Sequence, residues 1–159
     1  MIEIPITNEM RAYAEEQAKA MGVLRNSITS GVGNIVGFLG ELVAQKAIGG
    51  MIMNTYDYDI LLDDFLTKVD VKTKTTTVAP LPHYDCSVAS LNLTQNCDYY
   101  CFVRIKKDLS VGWYLGRCKK TDYLRNARQM LKGQLDPDND YIVKSDCFNM
   151  KISELDHTI

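Results

Sequence analysis

Residues 56–74 read YDYDILLDDFLTKVDVKTK and predict two short strands separated by a turn. The apolar run 60–62 is too short for a helix, and the paired aspartates after it are typical of a turn. Along a strand, side chains two residues apart share one face of the sheet. Asp70 and Lys72 are therefore expected side by side, and pairing of the two strands can bring Asp59 next to both.

This pattern of charges suggests a metal site. Two carboxylates from adjacent strands offer the oxygen ligands that Mg²⁺ and Mn²⁺ prefer. A lysine on the same face can hold or deprotonate an attacking water and offset charge that develops on a phosphate. Asp57 shares a face with Asp59 and is a rival for its role. An exposed ion pair between Asp70 and Lys72 is the more ordinary use of such a tripeptide.

Glu41 adds a third carboxylate to the candidates. Its neighbours three and four positions away on the predicted helix are mostly small or apolar. A carboxylate on such a face is expected to be partly buried, and unpaired burial is costly. A metal or a lysine across the helix–sheet boundary would supply a partner. Exposure at the edge of the apolar stripe is the alternative.

Periodicity along the chain predicts a single α/β domain over residues 1–159, with a central mixed sheet flanked by helices. Helices are expected over Asn8–Met21, ending at Gly22, and over 33–48 and 121–132. The segment 85–95 is ambiguous between helix and irregular structure, and residues 136–140 form a polar loop. Strands are expected over residues 51–53, 58–62, 66–73, 99–105, 111–115 and 141–143.

Length and composition favour an ordinary globular protein. The chain has 159 residues, of which 46% are hydrophobic and 24% charged, a balance typical of one folded domain. No apolar run approaches the roughly 20 residues that span a bilayer, and residues 1–5 do not resemble a secretory signal. Five cysteines, an odd number, indicate reduced thiols. We expect no membrane partner and a cytoplasmic location.

Charge is unevenly distributed along the sequence. Residues 104–132 hold nine lysines and arginines against two acidic residues, a local balance of +7 in a chain whose net charge is -2. Such a segment can face a polyanion, although a solvated basic helix and hairpin would show the same balance.

The spacing of the candidate residues resembles the PD-(D/E)XK nuclease superfamily, which has the restriction-endonuclease-like fold. The resemblance rests on Gly40-Glu41-Leu42 in a helix, Asp59 before an apolar strand, and Asp70-Val71-Lys72 eleven residues later. The following strand at 97–104 also fits, so that the resemblance covers about residues 33–132. One departure is Tyr58, which stands where many members have proline.

The resemblance implies a role for each candidate residue. Asp59, Asp70 and the backbone carbonyl of Val71 would bind Mg²⁺ or Mn²⁺, Glu41 would bind the metal directly or through water, and Lys72 would orient the nucleophilic water. The protein would then be a metal-dependent deoxyribonuclease of phage or resolvase type, expected to cut internally, in the cytoplasm or in a host cytoplasm. A homodimer would suit the cutting of both strands.

Backbone contacts to DNA would come mainly from the basic segment. The candidates are Lys74, Arg104, Lys106, Lys107, Arg117, Lys119, Lys120, Arg125 and Arg128. Two alternatives stay open: a nucleic-acid-binding or protein-binding module on the same fold without turnover, and a structural protein whose acidic patch is only surface.

Overall fold

The computed structural model describes residues 1–21, 32–53, 55–137 and 141–158. The expected helix end at Gly22 and residues 138–140 of the expected polar loop lie outside these ranges. Within them, the chain forms three helices, α1 (Asn8–Met21), α2 (Val32–Ile48) and α3 (Lys120–Asn126). The strands are β1 (Ile2–Pro5), β2 (Met51–Ile52), β3 (Ile60–Leu61), β4 (Lys68–Thr76), β5 (Asp85–Ala89), β6 (Tyr99–Lys106), β7 (Val111–Lys119), β8 (Arg128–Met130), β9 (Leu135–Asp136), β10 (Tyr141–Ile142) and β11 (Cys147–Lys151).

Six of these strands form a central sheet in the order β1-β7-β6-β4-β3-β2. Strands β4 and β6 are parallel, and the other neighbours are antiparallel. A smaller sheet has the order β5-β11-β8, and β9 pairs with β10. The predicted mixed α/β architecture is confirmed.

Helices α1 and α2 cover one face of the central sheet. The apolar side chains of β4 and β6 on this face, including Val69, Val71 and Val103, are buried against Leu39 and Val43 of α2. Burial of such side chains contributes about 1.5–3 kcal/mol each and holds α2 in place above the strands. The position of α2 relative to β4 matters for function because Glu41 lies on this helix.

The other face of the central sheet packs against α3 and the smaller sheet. Tyr100, Phe102 and Tyr123 form the aromatic centre of this second core, and the Tyr123 ring stacks on that of Phe102. The Tyr123 hydroxyl lies 2.7 Å from the carbonyl oxygen of Phe148 in β11, so that it also ties α3 to the smaller sheet. Helices therefore flank the sheet on both faces, with a three-stranded sheet added on one of them.

Several predicted boundaries were wrong. The helix expected over 121–132 ends at Asn126, because the next residues pair with β11 as strand β8. The ambiguous segment 85–95 begins as β5 and continues as a short 3-10 helix, Ser90–Asn92. Strands β1, β9 and β11 were missed altogether, and β9 includes Asp136 of the expected polar loop. The hairpin of β6 and β7 and the start of α1 at Asn8 are confirmed.

Two expectations from composition can also be compared with the fold. All five cysteines are free thiols, as their odd number predicted. In the described parts of the chain, no helix is both long enough and apolar enough to cross a membrane.

Close contact between α2 and β4 depends on a glycine. A Cβ atom at Gly40 would lie 1.9 Å from Thr73 Oγ1, whereas a Cβ at Gly37 of the same helix would meet nothing within 4 Å. Any side chain at position 40 must therefore push α2 away from β4. Gly40 thus fixes how closely the following residue, Glu41, approaches the sheet.

Replacing Gly40 with alanine should reduce the free energy of unfolding, measured by urea denaturation, by about 1–3 kcal/mol because of overpacking against Thr73. The matched control is Gly37→Ala, which should raise the same quantity by about 0.5–1 kcal/mol because alanine favours the helix and finds open space. Equal effects of the two substitutions would contradict this account of the helix–sheet contact.

Candidate active site

Asp59 is fixed at the point where β3 pairs with β4. Its backbone N–H donates to the carbonyl oxygen of Val69 at 3.0 Å, and its Oδ2 accepts the backbone N–H of Val71 at 2.7 Å. Strand β3 has only two residues. Next to it, the Asp59 carboxylate, instead of a backbone carbonyl, accepts a backbone N–H of β4. The side chain is thereby held beside β4.

Asp70 and Lys72 lie on the same face of β4, as the alternation predicted. Asp70 is 2% exposed, and its Oδ2 lies 2.6 Å from Lys72 Nζ. Lys72 Nζ also donates to Gln95 Oε1 at 2.9 Å, and its charge lies 6.0 Å from the centre of the Tyr100 ring. The ammonium group is therefore held in one place, as a group that positions a reacting atom must be.

Glu41 lies on α2, close enough to Asp59 and Asp70 for their charges to act on it. Its Oε2 is shielded from solvent and has no hydrogen-bond partner among the described residues. Burial, together with the charges of Asp59 and Asp70, raises the pKa of Glu41 to about 8. A buried carboxylate oxygen without a donor is costly unless a proton or a cation accompanies it.

The three carboxylates form one electrostatic cluster. Burial and the neighbouring charge of Asp70 raise the pKa of Asp59 to about 7, although the Val71 N–H and Lys72 act in the opposite direction. Repulsion between these carboxylates makes the fully ionised cluster unfavourable, and a bound cation would offset it. We refer to Glu41, Asp59 and Asp70 as the acidic cluster.

The acidic cluster fits a hard divalent cation in its chemistry. Carboxylate oxygens are the ligands that Mg²⁺ and Mn²⁺ prefer, and Glu41 Oε2 is an acceptor that lacks a donor. As they stand, no three histidine, cysteine, aspartate or glutamate side chains of the described ranges form a ready-made metal-binding group. The ammonium group of Lys72 meanwhile provides a positive charge next to Asp70.

The backbone carbonyl of Val71 points to the same side of β4 as Asp59. In a strand the N–H and C=O of one residue point to the same side, and the Val71 N–H points to Asp59. The carbonyl expected to serve as a ligand therefore faces the side on which Asp59 lies.

The two rival aspartates, Asp57 and Asp59, have different surroundings in the structure. Asp57 Oδ1 accepts the backbone N–H of Asn96 at 3.1 Å, so that its carboxylate holds a loop. The Asp59 carboxylate, in contrast, accepts the Val71 N–H of β4 at 2.7 Å, and the charge of Asp70 raises its pKa together with burial.

An experiment on these two aspartates tests the assignment. If the chain cleaves DNA as the resemblance implies, Asp59→Asn should lower metal-dependent cleavage by at least about 100-fold. The amide oxygen can still accept the Val71 N–H, while the ligand charge is lost. Asp57→Asn, the matched control, should stay within about threefold of the wild-type rate, since it alters one loop hydrogen bond. A greater loss in Asp57→Asn than in Asp59→Asn would contradict the assignment.

Gln95 is a further residue of the candidate active site that could not be identified from the sequence. Its side chain accepts from Lys72 and donates through Nε2 to the Tyr56 carbonyl oxygen at 2.7 Å, and its backbone carbonyl oxygen accepts from Lys120 Nζ. It lies in the segment that was ambiguous from sequence, 23 residues after Lys72, and no spacing or motif connects the two positions. Its amide orients the lysine from outside the strand.

The nine basic candidates do not form one surface. Lys119 and Lys120 lie at the same end of the β6–β7 hairpin as Tyr99, the end next to the acidic cluster. Lys106 and Lys107 lie at the other end, about 23 Å away at 3.3 Å per strand residue. The linear run of charge is divided because the hairpin folds back on itself.

The remaining basic candidates have mixed environments. Arg128 lies 3.2 Å from both Asp85 Oδ2 and Asp136 Oδ1, two largely buried carboxylates, and so holds the smaller sheet together. Arg125 pairs with Asp122 within α3, and Arg117 lies over the Tyr99 ring. Lys74 and Arg104 are directly opposite each other on β4 and β6.

Comparison with protein-family models and with curated protein sequences finds no match for this chain. The geometry of the acidic cluster and Lys72 therefore carries the functional argument.

Proposed function

We propose that the protein is a metal-dependent deoxyribonuclease that hydrolyses phosphodiester bonds, with a restriction-endonuclease-like core over about residues 33–132. The observation that carries this proposal is the geometry of the acidic cluster. Asp59 is held beside β4 by the Val71 N–H, Glu41 Oε2 is shielded from solvent with no donor among the described residues, and Asp70 Oδ2 lies 2.6 Å from Lys72 Nζ. Carboxylates grouped against their own repulsion, beside a lysine, are suited to phosphoryl chemistry.

In this proposal Asp59, Asp70, Glu41 and the Val71 carbonyl hold one or two Mg²⁺ or Mn²⁺ ions. A bound divalent ion supplies Lewis acidity at the scissile phosphate and lowers the pKa of coordinated water. Hydrolysis forms one bond from the water oxygen to phosphorus, breaks one bond from phosphorus to a sugar oxygen, and moves one water proton to the leaving oxygen.

Lys72 has the defined position that this reaction needs. Its Nζ donates to Gln95 and pairs with Asp70, which leaves a third N–H to point at a water or a phosphate oxygen. Gln95 is a positioning residue, since it touches Lys72 through its amide and Lys120 through its backbone carbonyl oxygen. Lys72 therefore orients the attacking water and offsets the charge that grows on the phosphate.

The proposal is tested by incubating the protein with linear, nicked, branched and single-stranded DNA in Mg²⁺, Mn²⁺ or EDTA. We expect cleavage with either metal and none in EDTA, with the preferred substrate defining the subclass. DNA binding without cleavage under any of these conditions would replace this proposal with a non-catalytic binding module on the same fold.

A further inference from the structure

A groove lies beside Lys72, between the central sheet and the segment that includes β10 and β11. Its volume is about 850 Å³. The wall formed by β4 and β6 contributes Lys72, Lys74 and Arg104, and the opposite wall contributes Lys144, Cys147 and Asn149. Asp85 and Asp136 also line the groove, but both pair with Arg128. The lysines and Arg104 on the two walls therefore favour an anionic occupant.

Lys74 and Arg104 form an unusual pair within this groove. They are register partners on the parallel strands β4 and β6, where like charges directly opposite each other are unfavourable. Surrounding protein atoms and the charge of Arg104 lower the pKa of Lys74. The fold thus holds two cations together at a cost that a bound anion would offset.

The partners of these two cations are mostly uncharged. Lys74 Nζ lies 2.5 Å from Ser87 Oγ, and Arg104 Nη2 donates to the backbone carbonyl of Asp85 at 2.7 Å. Within the described ranges, neither cation has a carboxylate oxygen within 4 Å, and the nearby Asp85 carboxylate pairs with Arg128 instead. Lys74 and Arg104 therefore retain charge that is available to a phosphate.

We propose that Lys74 and Arg104 form a phosphate-binding subsite that holds a single nucleic-acid strand in the groove, one step along β4 from the scissile position. This inference rests on the proposed function and adds the substrate class. Lys72 and Lys74 are two residues apart on one face, about 6.6 Å at 3.3 Å per residue. The nucleic-acid strand would thus contact Lys74 either just before or just after the nucleotide that contacts Lys72.

The size of the groove selects a single strand over a duplex. A volume of about 850 Å³ lies within the range of about 300–1,000 Å³ that holds molecules the size of a few nucleotides. A duplex presents two backbones across grooves of about 6 and 12 Å and needs more room than one strand does. Tyr84 and Tyr141 line the groove and offer rings on which unpaired bases can stack.

The test measures equilibrium binding of fluorescein-labelled dT12 in EDTA, over a series of salt concentrations, to wild type, Lys74→Gln and Arg104→Gln. Each substitution should weaken binding about five- to tenfold and reduce the magnitude of the salt slope by about 0.7, the value for one phosphate contact on a single strand. Lys74→Arg should restore most of the binding, since it restores the charge.

The matched control is Lys46→Gln, which removes an exposed charge from α2 on the opposite face of the central sheet and should leave binding unchanged. Thermal unfolding distinguishes a ligand site from a structural role, because Lys74→Gln should be at least as stable as wild type. Unchanged dT12 affinity in both groove variants, or an equal loss in Lys46→Gln, would overturn the subsite.

Two further binding measurements distinguish a single nucleic-acid strand from a duplex and from a small phosphate ligand. A duplex of the same length should bind at least about tenfold more weakly than dT12, and inorganic phosphate should compete poorly, since it makes one contact where a strand makes several. Equal binding of the duplex would overturn the single-strand inference. Displacement of dT12 by micromolar inorganic phosphate would overturn it in favour of a small phosphate ligand.

Cleavage assays separate this inference from the proposed function. If dT12 binding depends on Lys74 and Arg104 but no metal supports cleavage, the subsite stands and the nuclease proposal fails. If metal-dependent cleavage occurs with unchanged kcat and KM for single-stranded DNA in Lys74→Gln and Arg104→Gln, the nuclease proposal stands and the subsite fails.

Discussion

Replacing Lys72 with methionine is expected to lower the rate of Mg²⁺-dependent DNA cleavage by about 10²–10⁴-fold, the usual contribution of a positioned proton-transfer or charge-stabilising group. Methionine has nearly the same length but cannot donate to a water or a phosphate oxygen. Single-turnover cleavage rates at saturating protein measure this effect separately from DNA binding.

The stability of this variant needs its own control. Asp70 is 2% exposed and pairs with Lys72, so that removing the lysine leaves a buried carboxylate without its partner. Lys72→Arg retains the charge and should fold like wild type, yet its larger, planar head cannot take the position of the ammonium, and cleavage should still fall at least about tenfold.

Lys68→Met provides a matched control on the same strand. Lys68 lies on β4 four residues before Lys72, and its ammonium lies 5.4 Å from the centre of the Tyr58 ring. Its substitution should leave the cleavage rate within about threefold of wild type, since it removes a cation–π contact worth about 0.5–1 kcal/mol. A Lys72→Met protein that is folded and as active as Lys68→Met would mean that the reaction takes place elsewhere.

Replacing Glu41 with glutamine is expected to stabilise the protein at alkaline pH in EDTA. The pKa of Glu41 is raised to about 8 in the folded protein, so the folded state holds this proton more tightly than the unfolded chain does. The stabilising contribution of the protonated carboxyl is full below pH 4 and is lost as pH rises to about 8. Wild type therefore carries the cost of an ionised, buried Glu41 at pH 9, whereas glutamine carries none.

A tenfold difference in proton affinity between the folded and unfolded states corresponds to about 1.4 kcal/mol of stability. For Glu41 the resulting difference between wild type and Glu41→Gln is about 2–4 kcal/mol after allowance for partial solvation, or roughly 5–10 °C in Tm for a chain of this size. At pH 4 the two proteins should melt at nearly the same temperature. Addition of Mn²⁺ at pH 8.5 should reverse the order, because the metal stabilises wild type through its ionised carboxylates.

Differential scanning calorimetry of wild type, Glu41→Gln and Glu16→Gln in EDTA measures these differences. Glu16 is exposed on α1, and its substitution should change Tm by no more than about 1–2 °C. A Glu41→Gln protein less stable than wild type at pH 9 without metal would show that Glu41 has a stabilising partner and does not belong to a repulsive cluster.

The faces of β4 could be predicted from sequence because a strand has a fixed period of two. Asp70 and Lys72 are side by side as expected, and α1 begins at Asn8 as expected because its capping and apolar residues are local signals. Pairing between strands is a different matter. The hydrogen bond from the Val71 N–H to Asp59 depends on this pairing and could not be predicted from the period of either strand.

The errors have physical causes as well. Residues 128–130 lie within a segment of helical pattern, but pairing with β11 overrides that local preference. Strand β1 has four residues and ends in proline, and it is recognisable only from its pairing with β7 at the edge of the sheet. Gln95 could not be found because its contact with Lys72 depends on the path of a loop.

Charge along the sequence was a limited guide to surface charge. The segment 104–132 is strongly basic, but the β6–β7 hairpin places its lysines and arginines at two ends of the sheet. Arg128 of the same segment forms ion pairs with two buried aspartates. The pair that faces the groove, Lys74 and Arg104, comes from two segments joined by parallel strand pairing. A parallel pair needs a long connection, and its register is therefore invisible to local pattern.

The most direct test of the central claim, that Glu41, Asp59 and Asp70 together bind a divalent cation, is calorimetric titration of Mn²⁺ into wild type and Asp70→Asn at pH 6 and pH 8. The raised pKa values of Glu41 and Asp59, about 8 and 7, mean that metal must displace protons at the lower pH. We expect wild type to bind Mn²⁺ at least about tenfold more tightly at pH 8 than at pH 6, and Asp70→Asn to lose most of this affinity. Absence of Mn²⁺ binding at pH 8, or equal affinity in the two proteins, would contradict the claim.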